Sequence, residues 1–322
     1  MRIALIGAGL MGKWHALYGQ RAGAQVVAVV DRDSAAASRL AARFAARAYD
    51  SESNWLAASA PEVIHVCTPW DTHVALTRLA LSAGAHVIVE KPVADTARDA
   101  LELAALARST GKMLVPVHQF PFQAGFRRLQ SELPRLGTLR SVEFVTFTSG
   151  ADHSKGALRR RIALEILPHP LALFRALGFE VTAEQVNVDR FTDDALELSW
   201  HVGPTRLSAR IDLCARPTCN ELRVAGDHGS ALSDLFHGYL VIDRAATNRA
   251  SKLLRPFRRS SNTLLHASLN LASRTLRNQP AYPGLHSLIS ATYEAIRTHS
   301  RAPVDASEYC TAALLIEQLA RG

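Results

Sequence analysis

Residues 3 to 15, IALIGAGLMGKWH, constrain the fold more than any other stretch. A short apolar run breaks into Gly7, Gly9 and Gly12 and then into a helical pattern. A strand, a GxGxxG turn and a helix in that order let backbone amides meet a pyrophosphate, because no Cβ blocks its approach and the helix N-terminus favours negative charge. Glycine-rich turns also join strands to helices for packing alone, so the spacing downstream matters. The β-branched run QVVAVV at 25 to 30 ends on Asp31, about 20 residues past the glycines, where an acid is expected to receive the ribose hydroxyls. The stretch reads as a dinucleotide site with Gly7, Gly9, Leu10, Met11, Gly12, Asp31 and Arg32 as cofactor-binding positions. Asp31 favours NAD, since a carboxylate accepts from the 2′-hydroxyl and repels a 2′-phosphate; adjacent Arg32 keeps NADP as the alternative.

The chain beyond Asp31 alternates. Residues 34 to 47 read as an Ala-rich helix with Ser34 as N-cap. Residues 63 to 67, VIHVC, read as a buried parallel strand that Thr68-Pro69 stops. A returning helix over 72 to 83 ends at Gly84, strand 86 to 89 follows, and a helix over 96 to 109 and a strand over 113 to 117 complete the set. Strands alternating with helices predict βαβ units and a parallel sheet covered on both faces. In the second half, 139 to 148 alternates as a half-buried strand would. Residues 181 to 188, 195 to 202 and 206 to 213 read as further strands, and 162 to 177 as a helix ending at Gly178.

With 322 residues, 48% of them hydrophobic, the chain has material for about two domains. No uninterrupted apolar stretch approaches membrane-spanning length, and the first strand starts too early to leave room for a leader, so a cytoplasmic location is expected. Cys67, Cys214, Cys219 and Cys310 show no zinc-like spacing; reduced thiols and no metal are expected. The formal net charge of +8 is local: residues 244 to 279 hold eight of the 37 basic side chains and no acid, and the other 29 balance the 29 acidic ones. Leucines at 264, 265, 269, 271 and 276 interleave with polar residues there. The segment reads as a helical excursion packed on a sheet or as a surface for an anionic partner, either acidic lipid or a phosphorylated substrate. Nucleic acid is disfavoured, because Phe257 is the segment's one aromatic residue.

GAGLMGKWH, TPWDTH at 68 to 73 and GAHVIVEKPVA at 84 to 94 resemble successive signatures of the glucose-fructose oxidoreductase, inositol 2-dehydrogenase and rhizopine-catabolism (Gfo/Idh/MocA) family. The ending HSLISATYEAIRTHSRAPVDASEYCTAALLIEQLA is similar to that family's closing helices. The resemblance implies an α/β chain: a Rossmann domain over 1 to 118, then a substrate-binding and oligomerisation domain over 119 to 322 with an open, mostly antiparallel sheet. The last helix is free in this reading to pack on the first domain. The family implies that Thr68, Pro69, Trp70, His73, Glu90, Lys91 and Gln119 lie toward the nicotinamide. It implies that Lys91 stabilises a developing alkoxide with its ammonium.

Glu165 and His169 resemble the family's acid-x-Gly-x-His motif, with Glu for Asp and Leu167 for the glycine. His169 is then the general acid/base and Glu165 its orienter or an acceptor from a substrate hydroxyl. Trp70 stands where the family commonly has Asn, which suggests stacking on nicotinamide or ribose. HQFPF at 118 to 122 replaces an Asn-Arg pair, leaving His118 and Gln119 to take over the arginine's work. Pro168 and Pro170 bracket His169 and can bend its helix. The loop 149 to 161 reads as a solvated connection or a basic lid.

The expected activity is hydride transfer between NAD (or NADP) and a hydroxyl or keto carbon of a sugar, polyol or sugar nucleotide. The alternatives are an NAD-dependent glycoside hydrolase using transient oxidation and a non-catalytic NAD-binding sensor or partner protein. The expected partners are a small, possibly anionic substrate and a second copy of the chain joined through the C-terminal sheet.

Overall fold

The computed structural model describes residues 1–50, 55–245, 248–279 and 281–321. Residues 246 and 247 of the basic segment lie outside them. The chain divides into two compact units, Met1–His118 with Leu285–Gly322, and Gln119–Gly284.

In the first unit β1 (Arg2–Ile6), α1 (Leu10–Arg21), β2 (Gln25–Val30), α2 (Ser34–Ala42), β3 (Arg47–Tyr49), α3 (Trp55–Ser59), β4 (Val63–Val66), α4 (His73–Ser82), β5 (His86–Val89), α5 (Ala97–Thr110) and β6 (Leu114–Pro116) follow in chain order. The six strands make one parallel sheet in the order β3-β2-β1-β4-β5-β6. Every residue of β4 is buried, as a strand covered on both faces requires. Helix α5 buries Ala100, Leu103, Ala104 and Ala107, one stripe at helical spacing, and its N-cap Thr96 hydroxyl accepts from the Asp99 amide.

The second unit holds α6 (Ala124–Leu136), β7 (Leu139–Phe147), α7 (Ala157–Ile166), α8 (Pro168–Ala176), β8 (Asn187–Phe191), β9 (Ala195–Val202), β10 (Thr205–Asp212), β11 (Cys219–Gly226), β12 (Gly229–Asp234), β13 (Tyr239–Arg244) and α9 (Arg249–Leu276). Its seven-stranded sheet runs β13-β12-β11-β7-β10-β9-β8; the β7–β10 pair is parallel and the others are antiparallel. The closing helices are α10 (Pro283–Arg297) and α11 (Ala306–Arg321). An α/β chain with one parallel and one mostly antiparallel sheet is therefore what the sequence folds into.

Local expectations change in four places. The N-cap of α2 is Asp33, whose carboxylate accepts from the amides of Ala35 and Ala36, and not Ser34. The helix stops at Ala42, so that Arg47–Tyr49 can pair with β2. The helix foreseen over 162 to 177 is two helices that meet at Leu167, where Pro168 starts α8 without needing a backbone donor. The strand foreseen over 181 to 188 begins only at Asn187.

Candidate active site

In the first unit the glycines divide by the space around them. A Cβ on Gly12 would lie 2.0 Å from the Gly7 carbonyl oxygen, and one on Gly7, whose φ is +102°, would lie 2.5 Å from the Cys67 oxygen. Those two let β1, α1 and the end of β4 approach one another. Gly9 differs: nothing lies within 4 Å of where its Cβ would be. It is the N-cap of α1, whose first turn carries neither a side-chain cap nor an acid, so the helix's leading N–H groups are offered to an anion. The Asp31 carboxylate sits alongside, Oδ2 accepting from the Ala8 amide at 2.7 Å and Oδ1 from the Asp33 amide at 2.8 Å. Each oxygen keeps a further lone pair for a ribose hydroxyl. Exposed Leu10 and half-buried Met11 follow directly, and exposed Arg32 borders Asp31. An open cradle at Gly9, a helix N-terminus without its own anion and an oriented acid fit a dinucleotide.

The strand ends supply the rest. His73, at the start of α4, is buried, with Nε2 2.9 Å from the Thr68 carbonyl oxygen and Nδ1 2.6 Å from that of Pro92. His73 thus ties the loop after β4 to the loop after β5, and its ring nitrogens are spoken for. Trp70, 7% exposed, lies in a single 3-10 turn between half-buried Thr68 and α4, with Pro69 exposed before it. Lys91 is half-buried immediately after β5.

Beside Lys91 a chain of polar groups runs into the core, and sequence reasoning missed it. His15 Nε2 is 3.1 Å from Glu90 Oε1, His15 Nδ1 is 2.8 Å from His65 Nδ1, and His65 Nε2 is 2.8 Å from the Tyr293 hydroxyl of α10. His15, His65 and Tyr293 have no exposed surface. An ionised carboxylate only accepts, so His15 Nε2 donates to Glu90; the tautomers of the two rings set the direction of the inner bonds. The electrostatics agree. Burial, with His15 alongside, drives His65 well below the usual imidazole range. Burial, with Cys67 nearby, pushes the Tyr293 hydroxyl far up, so it keeps its proton. Burial alone would raise Glu90, but the His15 hydrogen bond and the positive charge of Lys91 help to outweigh it, and the carboxyl is held below its ordinary value. The arrangement keeps an ionised carboxylate fixed next to the lysine. His118, offered with Gln119 in place of an arginine, is instead buried with Nδ1 3.4 Å from Glu308 of α11, tying that helix to the end of β6.

In the second unit His169 occupies the first turn of α8, 8% exposed, its ring 4.4 Å from that of Phe120 between centroids. Glu165 ends α7, its carboxylate 3.9 Å from Arg161 one turn back. The Gln119 side-chain oxygen is buried and has no hydrogen-bond partner among the described residues. The loop expected over 149 to 161 ends before Ala157, where α7 starts, and Arg159 and Arg160 in that helix's first turn face acids of their own unit, Asp194 at 3.0 Å and Asp193 at 3.1 Å, which leaves the stretch less cationic than its sequence. Among the described residues no group of three or more His, Cys, Asp or Glu is placed to hold a metal ion, and no helix is long and apolar enough to cross a membrane.

Residues 1–118 match the family described as an oxidoreductase family with an NAD-binding Rossmann fold (Gfo/Idh/MocA). The chain is 33% identical over 274 residues to inositol 2-dehydrogenase 1 of Saccharopolyspora erythraea, covering 72% of this chain and 79% of that one. It is 36% identical over 149 residues to D-glucoside 3-dehydrogenase of Escherichia coli, which covers 45% of this chain and 42% of the relative. For the first curated relatives, matches thus span less than half of the relative's length. Among solved structures, the WlbA dehydrogenase of Bordetella pertussis in complex with NADH and UDP-GlcNAcA superposes with a TM-score of 0.75 at 18% identity, covering 100% of this chain and 94% of that one, a likeness of fold.

Proposed function

The chain belongs to the Gfo/Idh/MocA oxidoreductase family, and from that premise we propose that it moves hydride between NAD and a hydroxyl or keto carbon of a sugar, polyol or sugar nucleotide. The observation that carries this reading is the open cradle at Gly9 facing an uncapped helix N-terminus, with Asp31 held beside it. NAD supplies the hydride acceptor, or in reduced form the donor.

The chain's own residues do the rest. Gly9 and the leading amides of α1 hold the pyrophosphate, and Asp31 accepts from the adenosine ribose. His73 fixes the Thr68 and Pro92 backbone against which the nicotinamide end rests, and Trp70 closes that end against water. Lys91 donates to the substrate oxygen and stabilises the negative charge that grows there. His169 takes the hydroxyl proton in oxidation and returns it in reduction. Glu165, on the turn before, orients the imidazole or accepts from a neighbouring substrate hydroxyl, and Gln119 offers its unpartnered oxygen to the ligand. The relatives named for inositol, glucosides and UDP-N-acetylglucosamine delimit the substrates to try.

The purified chain should form NADH from NAD with at least one of myo-inositol, a glucoside or UDP-N-acetylglucosamine. Lys91→Ala should lower that turnover by about 10²- to 10³-fold and leave NAD binding intact. Near-normal turnover in Lys91→Ala would remove the lysine's role.

A further inference from the structure

Helix α9 is turned inside out. At 100° per residue its leucines and Phe257 occupy roughly 160° of the circumference, the amphipathic stripe that a helix on a globular domain ordinarily buries. Here the stripe faces solvent: Leu253 is 76% exposed, Phe257 and Leu264 72%, Leu271 66% and Leu276 88%. The opposite face holds the helix to its own unit, and it does so with polar groups. Arg255 Nε donates to Asp243 of β13 at 2.5 Å, while Asn270 Nδ2 and Arg274 Nη1 donate to the His237 carbonyl at 2.9 and 3.0 Å. His266 lies 3.3 Å from Arg128 of α6 on that same face. An apolar face this long, relieved by Ser261, Ser268, Thr275 and Arg258, is more than the scattered exposed leucine of an ordinary surface.

Charge decides what covers it. The chain has no Asp or Glu between Arg244 and Tyr293; exposed Arg258 lies within the stripe and exposed Arg249 near its edge, while Lys252, Arg259 and Arg277 lie toward the opposite face. A second copy docked through the same stripe would set cations against cations. An anionic bilayer surface offers the complement, with hydrocarbon for the leucines and phosphate headgroups for the long basic side chains, which bury their stems and keep their charges at the interface.

We propose that α9 is a membrane-surface helix that lays Leu253, Phe257, Leu264, Leu271 and Leu276 into the headgroup boundary of an anionic lipid surface. It lies in the plane of the interface and does not span it, in keeping with the absence of a spanning helix among the described residues. The proposal is independent of the hydride-transfer reading.

Flotation of the full chain with vesicles tests it. Vesicles of equal parts phosphatidylglycerol and phosphatidylcholine should carry the protein at low salt, phosphatidylcholine vesicles should carry far less, and raised salt should release it. Leu264→Glu with Leu271→Glu should lower partitioning by about tenfold or more, and Arg249→Gln with Arg258→Gln should erase the preference for the anionic vesicles. Both pairs lie on exposed side chains, and an unchanged thermal midpoint confirms that they fold. Failure of the wild-type chain to float with anionic vesicles at low salt would overturn the proposal. So would flotation that the leucine pair leaves untouched. A concentration-dependent dimer in sedimentation, abolished by the leucine pair and formed by a chain that ignores vesicles, would assign the stripe to a second copy instead.

Discussion

The inner end of the Rossmann sheet and the outer face of α9 depart from the apolar-inside rule in opposite directions. In the first unit, polar groups go to the centre: Tyr293, His65 and His15 lie fully buried in line. In the second, a long apolar stripe stays outside while arginine and asparagine make the contacts with the body. The contrast teaches where each departure obtains its compensation. The buried chain satisfies every ring nitrogen and the hydroxyl internally and ends on a carboxylate at the site's rim, so its cost is met within the fold. The stripe on α9 has no such partner within its own unit's described contacts, so its compensation is sought outside the molecule. One region holds a charge in place; the other leaves its apolar face to solvent.

The sharpest break of this comparison comes from the buried side. His15→Ala removes the hydrogen bond that Glu90 accepts and should cost about 3–5 kcal/mol of stability by thermal or urea unfolding. His15→Gln, which keeps a donor, should cost less; equal losses would show that His15 fills space and holds no charge. Next comes Gly12→Ala, whose Cβ would press on the Gly7 carbonyl oxygen and should cost about 1–3 kcal/mol.

Acid should reveal the chain as well. His65 ordinarily titrates near 6.5 and is held well below that by burial and His15. Below pH 6.5 the unfolded chain therefore takes up a proton that the folded one refuses, and stability falls as pH drops through that window. Glu90, held below its ordinary value of 4.5, adds to the loss as pH falls further. His65→Gln should flatten the upper part of the slope in a urea-midpoint series from pH 7 downward, and an unaltered slope would mean that His65 is not the group responsible. At the small end, Leu264→Glu on α9 should change stability by about 0.5 kcal/mol or less. A larger loss would mean that the leucine packs against protein.

Much of this was legible in the sequence, for physical reasons that differ from place to place. GAGLMG, Asp31 and the EKP after β5 are local signals, since a turn, a helix start and a strand end each need particular residues within a few positions. The parallel sheet followed from alternating periodicities. The polar chain was not legible, because His15 and His65 stand 50 residues apart and His65 and Tyr293 stand 228 apart, distances over which no periodicity carries information. The break at Leu167 was half legible: the prolines announced a bend, and the structure shows that Pro168 restarts the helix. For α9 the sequence showed the stripe and left its direction open, since periodicity says which side chains share a face and not which face docks. Within the candidate site, His73 and His118 were readable as nearby histidines; the carbonyls and carboxylate that engage them became visible only with the tertiary structure.

The cradle at Gly9 is the feature on which dinucleotide binding depends most. Its backbone is extended there, and nothing stands within 4 Å of its Cβ position, so Gly9→Val should fold and fill the space a pyrophosphate needs. Calorimetric titration with NADH should give one site per chain in the wild type and in Lys91→Ala, and at least about a tenfold weaker site, roughly 1.4 kcal/mol, in Gly9→Val. A folded Gly9→Val chain that binds NADH as tightly as the wild type would contradict that dependence.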